Sequence, residues 1–167
     1  MCIRDRGWAL RFGGQIPVER GGSRAGVPLE VAKRVAGKGE MVIMYPEGSM
    51  TRDPDLWPMR GKTGAARLAL AEGIPVIPAA HWGTQSLMAI NTNRLRLWPR
   101  PKITIKVGPP VDLSDLVSRA TETSAQLEAT QRIMAAITAL LEDLRGEKAP
   151  ADRWDPSKHG QSETGRF

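Results

Sequence analysis

Arg20, Glu47, Arg52 and Lys62 stand just beyond apolar runs or at the start of a helical pattern, where a chain turns and side chains can meet a ligand. Arg20 closes the block Gly14-Gln15-Ile16-Pro17-Val18-Glu19-Arg20, and Glu47-Gly48-Ser49-Met50-Thr51-Arg52 follows the apolar run Met41 to Tyr45. Gly48 permits a close backbone approach or a positive φ beside Glu47. Lys62 precedes a helical pattern, and the free N–H groups of a helix start favour negative charge, so anion binding is one chemistry open to it. An ordinary solvated lysine is the other. The string Met59-Arg60-Gly61-Lys62-Thr63 imitates the end of a nucleotide-binding P-loop, but the first glycine of that motif would fall on Leu56, and Pro58 stiffens the loop. A nucleotide site is therefore not expected.

The elements that must position these groups follow from the pattern of apolar residues. A short strand is expected around residues 15–18 and a helix over 25–36, with Pro28 in its first turn and Gly37 as its stop. Met41 to Tyr45 has the continuous apolar character of a strand covered on both faces. A helix is expected over 62–72, a buried strand over 74–81, and two half-exposed strands over 94–98 and 102–107. The last helix is the clearest. Thr123 and Gln126 have capping-box spacing, Leu127, Ile133, Met134, Ile137, Leu140, Leu141 and Leu144 keep a helical period, and Gly146 stops it. Alternating strands and helices predict an α/β fold, with a mainly parallel central sheet flanked by helices and ligand loops at the strand ends. The tail from Glu147, rich in charge, Gly and Pro, is expected to be loosely ordered.

Three blocks in order are more specific than any one alone. They are the Gly14–Arg20 block, Tyr45-Pro46-Glu47-Gly48-Ser49-Met50-Thr51-Arg52-Asp53, and Ile74-Pro75-Val76-Ile77-Pro78-Ala79-Ala80-His81-Trp82-Gly83. With the intervening helix from Lys62, this ordered set resembles the bacterial 1-acyl-sn-glycerol-3-phosphate acyltransferases of the glycerophospholipid acyltransferase family. The resemblance runs from about Trp8 to Gly146. It implies transfer of a fatty acyl group from acyl-CoA or acyl-carrier protein, as co-substrate and without a cofactor, to 1-acyl-glycerol-3-phosphate (lysophosphatidic acid), giving phosphatidic acid in phospholipid biosynthesis. By the same resemblance Arg20 contributes to the phosphate site, where a guanidinium offers a forked donor set to phosphate oxygens. Glu47, Gly48 and Ser49 correspond to the family's Glu-Gly-Thr block, with Ser49 in place of Thr. Glu47 is then placed to accept a hydrogen bond from a glycerol hydroxyl. Arg52 stands two positions later than the family's arginine and, with Lys62, is a second candidate for the phosphate. Val76-Ile77-Pro78 is expected to shape the acyl side of the cleft, and His81 to be packed or capping.

The resemblance also carries an absence. The family's general base is the histidine of a His-x-x-x-x-Asp pair upstream of the arginine block. Here Ser86 lies five residues after His81 and Thr164 five after His159, and no histidine precedes Arg20. Loss of a general base typically costs ~10²–10⁴ in rate, so the chain is expected to be inactive by itself. Residues 1–7 are read as a leader foreign to the family, 8–146 as an acyltransferase domain without its N-terminal catalytic segment, and 147–167 as the tail. A truncated or wrongly joined start is one reading. A true non-catalytic homologue, acting as a lipid-phosphate or anionic-membrane binding module, is the alternative.

Composition bounds the rest. The 167 residues, 41% hydrophobic and 25% charged, describe an ordinary globular domain. A single cysteine excludes an intramolecular disulfide, and with two histidines leaves no metal-site spacing, so a reducing, cytoplasmic setting is expected. The net charge of +6 suits an anionic partner. From Gly73 to Val111 there is no Asp or Glu, while Arg94, Arg96, Arg100, Lys102 and Lys106 cluster around Leu95, Leu97 and Trp98. That stretch suits either a peripheral position on the anionic inner face of the cell membrane or a solvated hairpin. No nucleic-acid partner is expected, since no RNA-binding motif or aromatic stacking set is present.

Overall fold

A computed structural model describes residues 16, 27–88 and 95–161. The chain divides into two units, Met1–Ile43 and Met44–Phe167. Apart from Ile16, the strand expected at 15–18 lies outside the described residues, and so does Arg20.

In the first unit, helix α1 spans Val27–Ala36. Pro28 sits in its first turn, where its missing N–H interrupts no helical bond. Ala32 is buried, and Lys33 lies 3.6 Å from Glu30 on an exposed face. The Gly37 N–H donates to the Lys33 carbonyl at 2.8 Å as the helix ends.

The second unit is built on two core clusters along one long helix. Helix α2 (Gly64–Glu72) ends at Gly73, whose φ of 63° lets its N–H turn back to the Ala69 carbonyl. Strand β1 (Ala79–Trp82) leads through Gly83 into the single turn α3 (Thr84–Leu87). Strand β2 (Thr104–Val107) returns antiparallel to β1, pairing Ala79 with Val107 and Trp82 with Thr104. Gly83 is required at the end of this pair. Its φ is 101°, and a Cβ there would lie 2.0 Å from the Lys102 carbonyl oxygen. A 3₁₀ segment (Ser114–Arg119) precedes helix α4 (Thr123–Arg145), which ends at Gly146 with φ 69°.

Helix α4 is amphipathic in fact as well as in pattern. Its N-terminal half packs Ala125, Ala129 and Ile133 against Ala66, Ala69 and Leu70 of α2 and against Leu113 and Leu116. Its C-terminal half packs Leu140 and Leu141 against Trp57 and Ala80. Each large buried side chain contributes about 1.5–3 kcal/mol before entropy is subtracted. The buried Thr130 hydroxyl is satisfied within the helix, donating to the Gln126 carbonyl at 2.7 Å.

Several expectations need correction. The sheet of the described residues is not mainly parallel: it is a two-stranded antiparallel pair. The expected strand over 74–81 is regular only from Ala79, because Pro75 and Pro78 supply no N–H; upstream the pairing survives as two isolated bonds, Gly108 N–H to the Pro78 carbonyl and Val111 N–H to the Val76 carbonyl, each 2.9 Å. Met41 to Tyr45 forms no strand, and Met41, Ile43 and Tyr45 are exposed, so apolar continuity here does not mark burial. Residues 95–98 also form no strand, and Leu127 is half exposed rather than core. The capping box is absent as well: Glu122 is the N-cap residue of α4 without a side-chain cap, while the Gln126 amide donates to the Ala120 carbonyl at 2.8 Å.

Residues 147–161, for which composition suggests little order, make defined contacts. The Ala149 N–H donates to Glu142 at 2.9 Å, and Pro156 is buried. The Trp154 and His159 rings stack with centroids 3.7 Å apart. Asp155 Oδ1 accepts from both the N–H and the hydroxyl of Ser157, closing a short 3₁₀ turn (Pro156–His159).

Candidate substrate-binding site

The segment 44–63 is irregular but closely tied. Tyr45 to Gly48 forms a turn in which the Gly48 N–H donates to the Tyr45 carbonyl at 3.0 Å. Gly48 has φ 69°, a region costing other residues roughly 1–2 kcal/mol. The returning chain lies alongside: the Lys62 N–H donates to the Pro46 carbonyl at 2.8 Å, and the Met59 N–H donates to Glu47 Oε2 at 2.8 Å. A Cβ on Gly48 would lie 3.4 Å from Lys62 Cδ and 3.9 Å from Nζ, so glycine makes room for the lysine to cross the turn.

Between these two runs the chain closes on itself. The Thr51 hydroxyl donates to the Trp57 carbonyl at 2.6 Å, and the Asp55 N–H donates to the buried Asp53 carboxylate at 2.7 Å. Leu56 takes a positive φ of 63° at the apex. The Arg52 N–H reaches Met59 Sδ at 3.1 Å, and the Nε and Nη2 atoms of its guanidinium are buried.

Glu47 and Lys62 open onto a cleft of about 600 Å³. Its lining also includes Thr130 and Met134 of α4 and, from the C-terminal segment, Arg153, Asp155 and Lys158. Gly61 allows this approach of loop to helix, since a Cβ there would lie 2.7 Å from Met134 Cγ. Burial raises the Glu47 pKa above the usual 4.5, partly offset by the Met59 N–H. Arg60 also lines the cleft and lies 3.8 Å from Asp155. The cleft thus joins four cationic side chains, Arg60, Lys62, Arg153 and Lys158, to two carboxylates, a set suited to holding a small anion.

Of the residues singled out from the sequence, the structure brings Glu47 and Lys62 to one cleft and lays Gly48 against Lys62. Ser49 and Arg52 are not among the lining residues. Neither is either histidine: His81 is exposed on β1 with Nδ1 3.3 Å from the Thr84 hydroxyl, and His159 is stacked on Trp154. Sequence reasoning left Arg153, Asp155 and Lys158 unassigned. The signal available was Trp154-Asp155-Pro156-Ser157, an aromatic followed by a helix-start pattern, inside a tail otherwise rich in polar residues.

Residues 4–82 match the family model described as Acyltransferase. Over this segment the chain is similar to the acyltransferase family. The chain is 33% identical over 85 residues to a 1-acyl-sn-glycerol-3-phosphate acyltransferase of Haemophilus influenzae, a match covering 51% of this chain and 32% of that protein. It is 34% identical over 89 residues to the protein of that name from Escherichia coli, covering 53% and 34% respectively. It is 35% identical over 83 residues to a chloroplastic protein of that name from Brassica napus, covering 49% and 24%. The chain thus spans a quarter to a third of the length of these curated relatives. No solved structure matches it. The family match ends at Trp82, so β2, α4 and the strap over 147–161 lie beyond it. Among the described residues no group of side chains could hold a metal ion, and no helix is long and apolar enough to cross a membrane.

Proposed function

We propose that this chain is the acceptor-side part of an acyltransferase that moves a fatty acyl group from acyl-CoA or acyl-carrier protein to 1-acyl-glycerol-3-phosphate, giving phosphatidic acid. The observation that carries this reading is the joint opening of Glu47 and Lys62, both within the family-matched segment, onto one cleft. Lys62 offers a cation to the acceptor phosphate. Glu47, fixed through the Met59 N–H, offers its carboxylate to a glycerol hydroxyl. In the reaction the free acceptor hydroxyl attacks the thioester carbonyl, the thiolate leaves, and the hydroxyl proton passes to a base. The sequence supplies no His-x-x-x-x-Asp pair for that last role, and neither histidine lines the cleft. The chain by itself is therefore expected not to turn over. Arg20, outside the described residues, and Arg52, directed inward, are retained as phosphate-side candidates on their place in the family blocks.

The reading includes a peripheral position on the anionic inner face of the cell membrane. Support comes from Leu95, Leu97 and Trp98, all well exposed beside Arg96 and Arg100. The test of the reaction is transfer of a labelled acyl group from acyl-CoA to lysophosphatidic acid. The chain alone should stay at the heat-killed background. A chimera carrying the family's His-x-x-x-x-Asp segment ahead of Trp8 should turn over, and Glu47→Ala should remove that turnover. A folded chimera without turnover would count against the acyltransferase reading. Binding of anionic vesicles by the same protein would then favour a non-catalytic membrane module.

A further inference from the structure

We propose that residues 153–158 of the strap complete a phosphate-monoester site, with Arg153 and Lys158 joining Lys62 and Arg60 in the lining of one cleft. The inference rests on the acyltransferase reading for the identity of the acceptor, but not for the site itself. A cleft of about 600 Å³ is of a size that holds a small polar molecule. A phosphate monoester carries about 1.5 to 2 negative charges at neutral pH, more than a single lysine balances. Of the two carboxylates on the walls, Asp155 is committed elsewhere: Oδ1 accepts from the Ser157 N–H at 3.0 Å and hydroxyl at 2.6 Å, and Oδ2 lies 3.8 Å from Arg60. Glu47 accepts from the Met59 N–H, and its burial works against its charged form. Among the described residues, the cations lining the cleft outnumber the acids, and a bound anion would offset that excess.

The strap is held as a support for such groups must be. The Arg60 N–H donates to the Trp154 carbonyl at 3.4 Å, Pro156 is buried, and the Trp154–His159 stack braces the turn between the two cations. Arg153 and Lys158 thus flank a fixed turn, which lowers the ordering required on binding. Both stand beyond the family-matched segment, in the C-terminal part of the chain.

The test is calorimetric titration of the full chain at low salt with inorganic phosphate, glycerol 3-phosphate and, in a separate arm, lysophosphatidate. Wild-type protein should bind saturably in at least one arm. Binding of lysophosphatidate without inorganic phosphate assigns the site to a lipid headgroup, and comparable binding of both assigns it to free phosphate. Arg153→Gln with Lys158→Gln should weaken binding at least tenfold, with the thermal midpoint unchanged. Arg153→Lys with Lys158→Arg, which keeps both charges, should retain binding. Arg67→Gln, on an exposed part of α2 away from the cleft, should leave it unaltered. Wild-type protein that binds nothing overturns the proposal. So does a double glutamine variant that binds like wild type, or an equal loss in Arg67→Gln. Because the assay needs no acyl donor, a silent chimera would count against the reaction and not against this site.

Discussion

The guanidinium carbon of Arg145 stands 3.9 Å from the centre of the Trp57 ring, at the point where the last turn of α4 meets the closed loop over 51–57. The same group lies 4.4 Å from Trp82 on β1 and donates to the Asp55 carbonyl at 2.7 Å. One side chain therefore ties the helix to the strand and to the loop that sets the spacing between Glu47 and Met59. Its side chain is 10% exposed, so these contacts are largely sheltered from water.

Arg145→Ala should lower unfolding stability by about 2 kcal/mol, from the lost cation–π contact and charge-assisted hydrogen bond. Arg145→Lys should recover only part of that, because an ammonium cannot lie flat on one indole while donating to Asp55. Urea denaturation followed by tryptophan fluorescence measures both. Equal stability of the alanine variant and wild type would show that the stacked geometry adds nothing to the fold.

Glu47 gives a stability signature that depends on pH. Its folded pKa is raised above the ordinary 4.5 chiefly by burial, so across the interval between the two values the folded protein holds more proton than the unfolded chain. The stability tied to the neutral carboxyl is complete below the unfolded value and is lost as pH rises through the folded one. Glu47→Gln keeps an oxygen for the Met59 N–H and removes the charge. It should match wild type in acid and become the more stable of the two toward neutrality. Denaturation midpoints across that pH series check it, and a difference that does not vary with pH would contradict it.

Gly61→Ala tests how closely the loop sits on α4. The added methyl would lie 2.7 Å from Cγ and 2.9 Å from Sδ of Met134, which is 1% exposed and has little room to retreat. Overpacking of this kind costs about 1–3 kcal/mol. Combining it with Met134→Ala should cost less than the two single changes added together, since the cavity of one accommodates the methyl of the other. Additive losses in thermal unfolding would mean that loop and helix do not meet there.

The parts legible in the sequence are those decided by local pattern. Helix α4 was readable because its apolar period runs over many turns to Gly146, and α2 because its apolar positions end at Gly73. Glu47 and Lys62, singled out by their places beyond an apolar run and before a helix, both line the cleft. What stayed hidden depends on contacts between distant segments. The position of Arg52 is fixed by its N–H on Met59 Sδ and by the Thr51–Trp57 bond, neither visible in a string of letters. Arg153 and Lys158 were hidden by a tail whose composition resembles a linker, yet Trp154 gives it a ring to stack and Pro156 is buried. The antiparallel pair was missed because alternating apolar runs do not record direction. Pro75 and Pro78 then break the ladder that a parallel reading assumed to be continuous.

The acid-free stretch carries the last prediction. Leu95 is 63%, Leu97 69% and Trp98 82% exposed, an apolar group that water solvates poorly. Arg96 and Arg100 flank it, also exposed. A cation near an anionic bilayer gains about 1 kcal/mol, and tryptophan favours the interface. Removing two such cations should therefore weaken partition by roughly thirtyfold, and reversing their sign by more. Arg96→Glu with Arg100→Glu should abolish sedimentation with vesicles containing phosphatidylserine at low salt. Trp98→Ala should weaken it in a way that high salt does not reproduce, because the loss is apolar rather than ionic. Pure phosphatidylcholine vesicles should bind wild-type protein weakly throughout. Unchanged sedimentation of the double glutamate variant, with its thermal midpoint intact, would assign residues 95–100 to a solvated loop and remove the membrane from the functional reading.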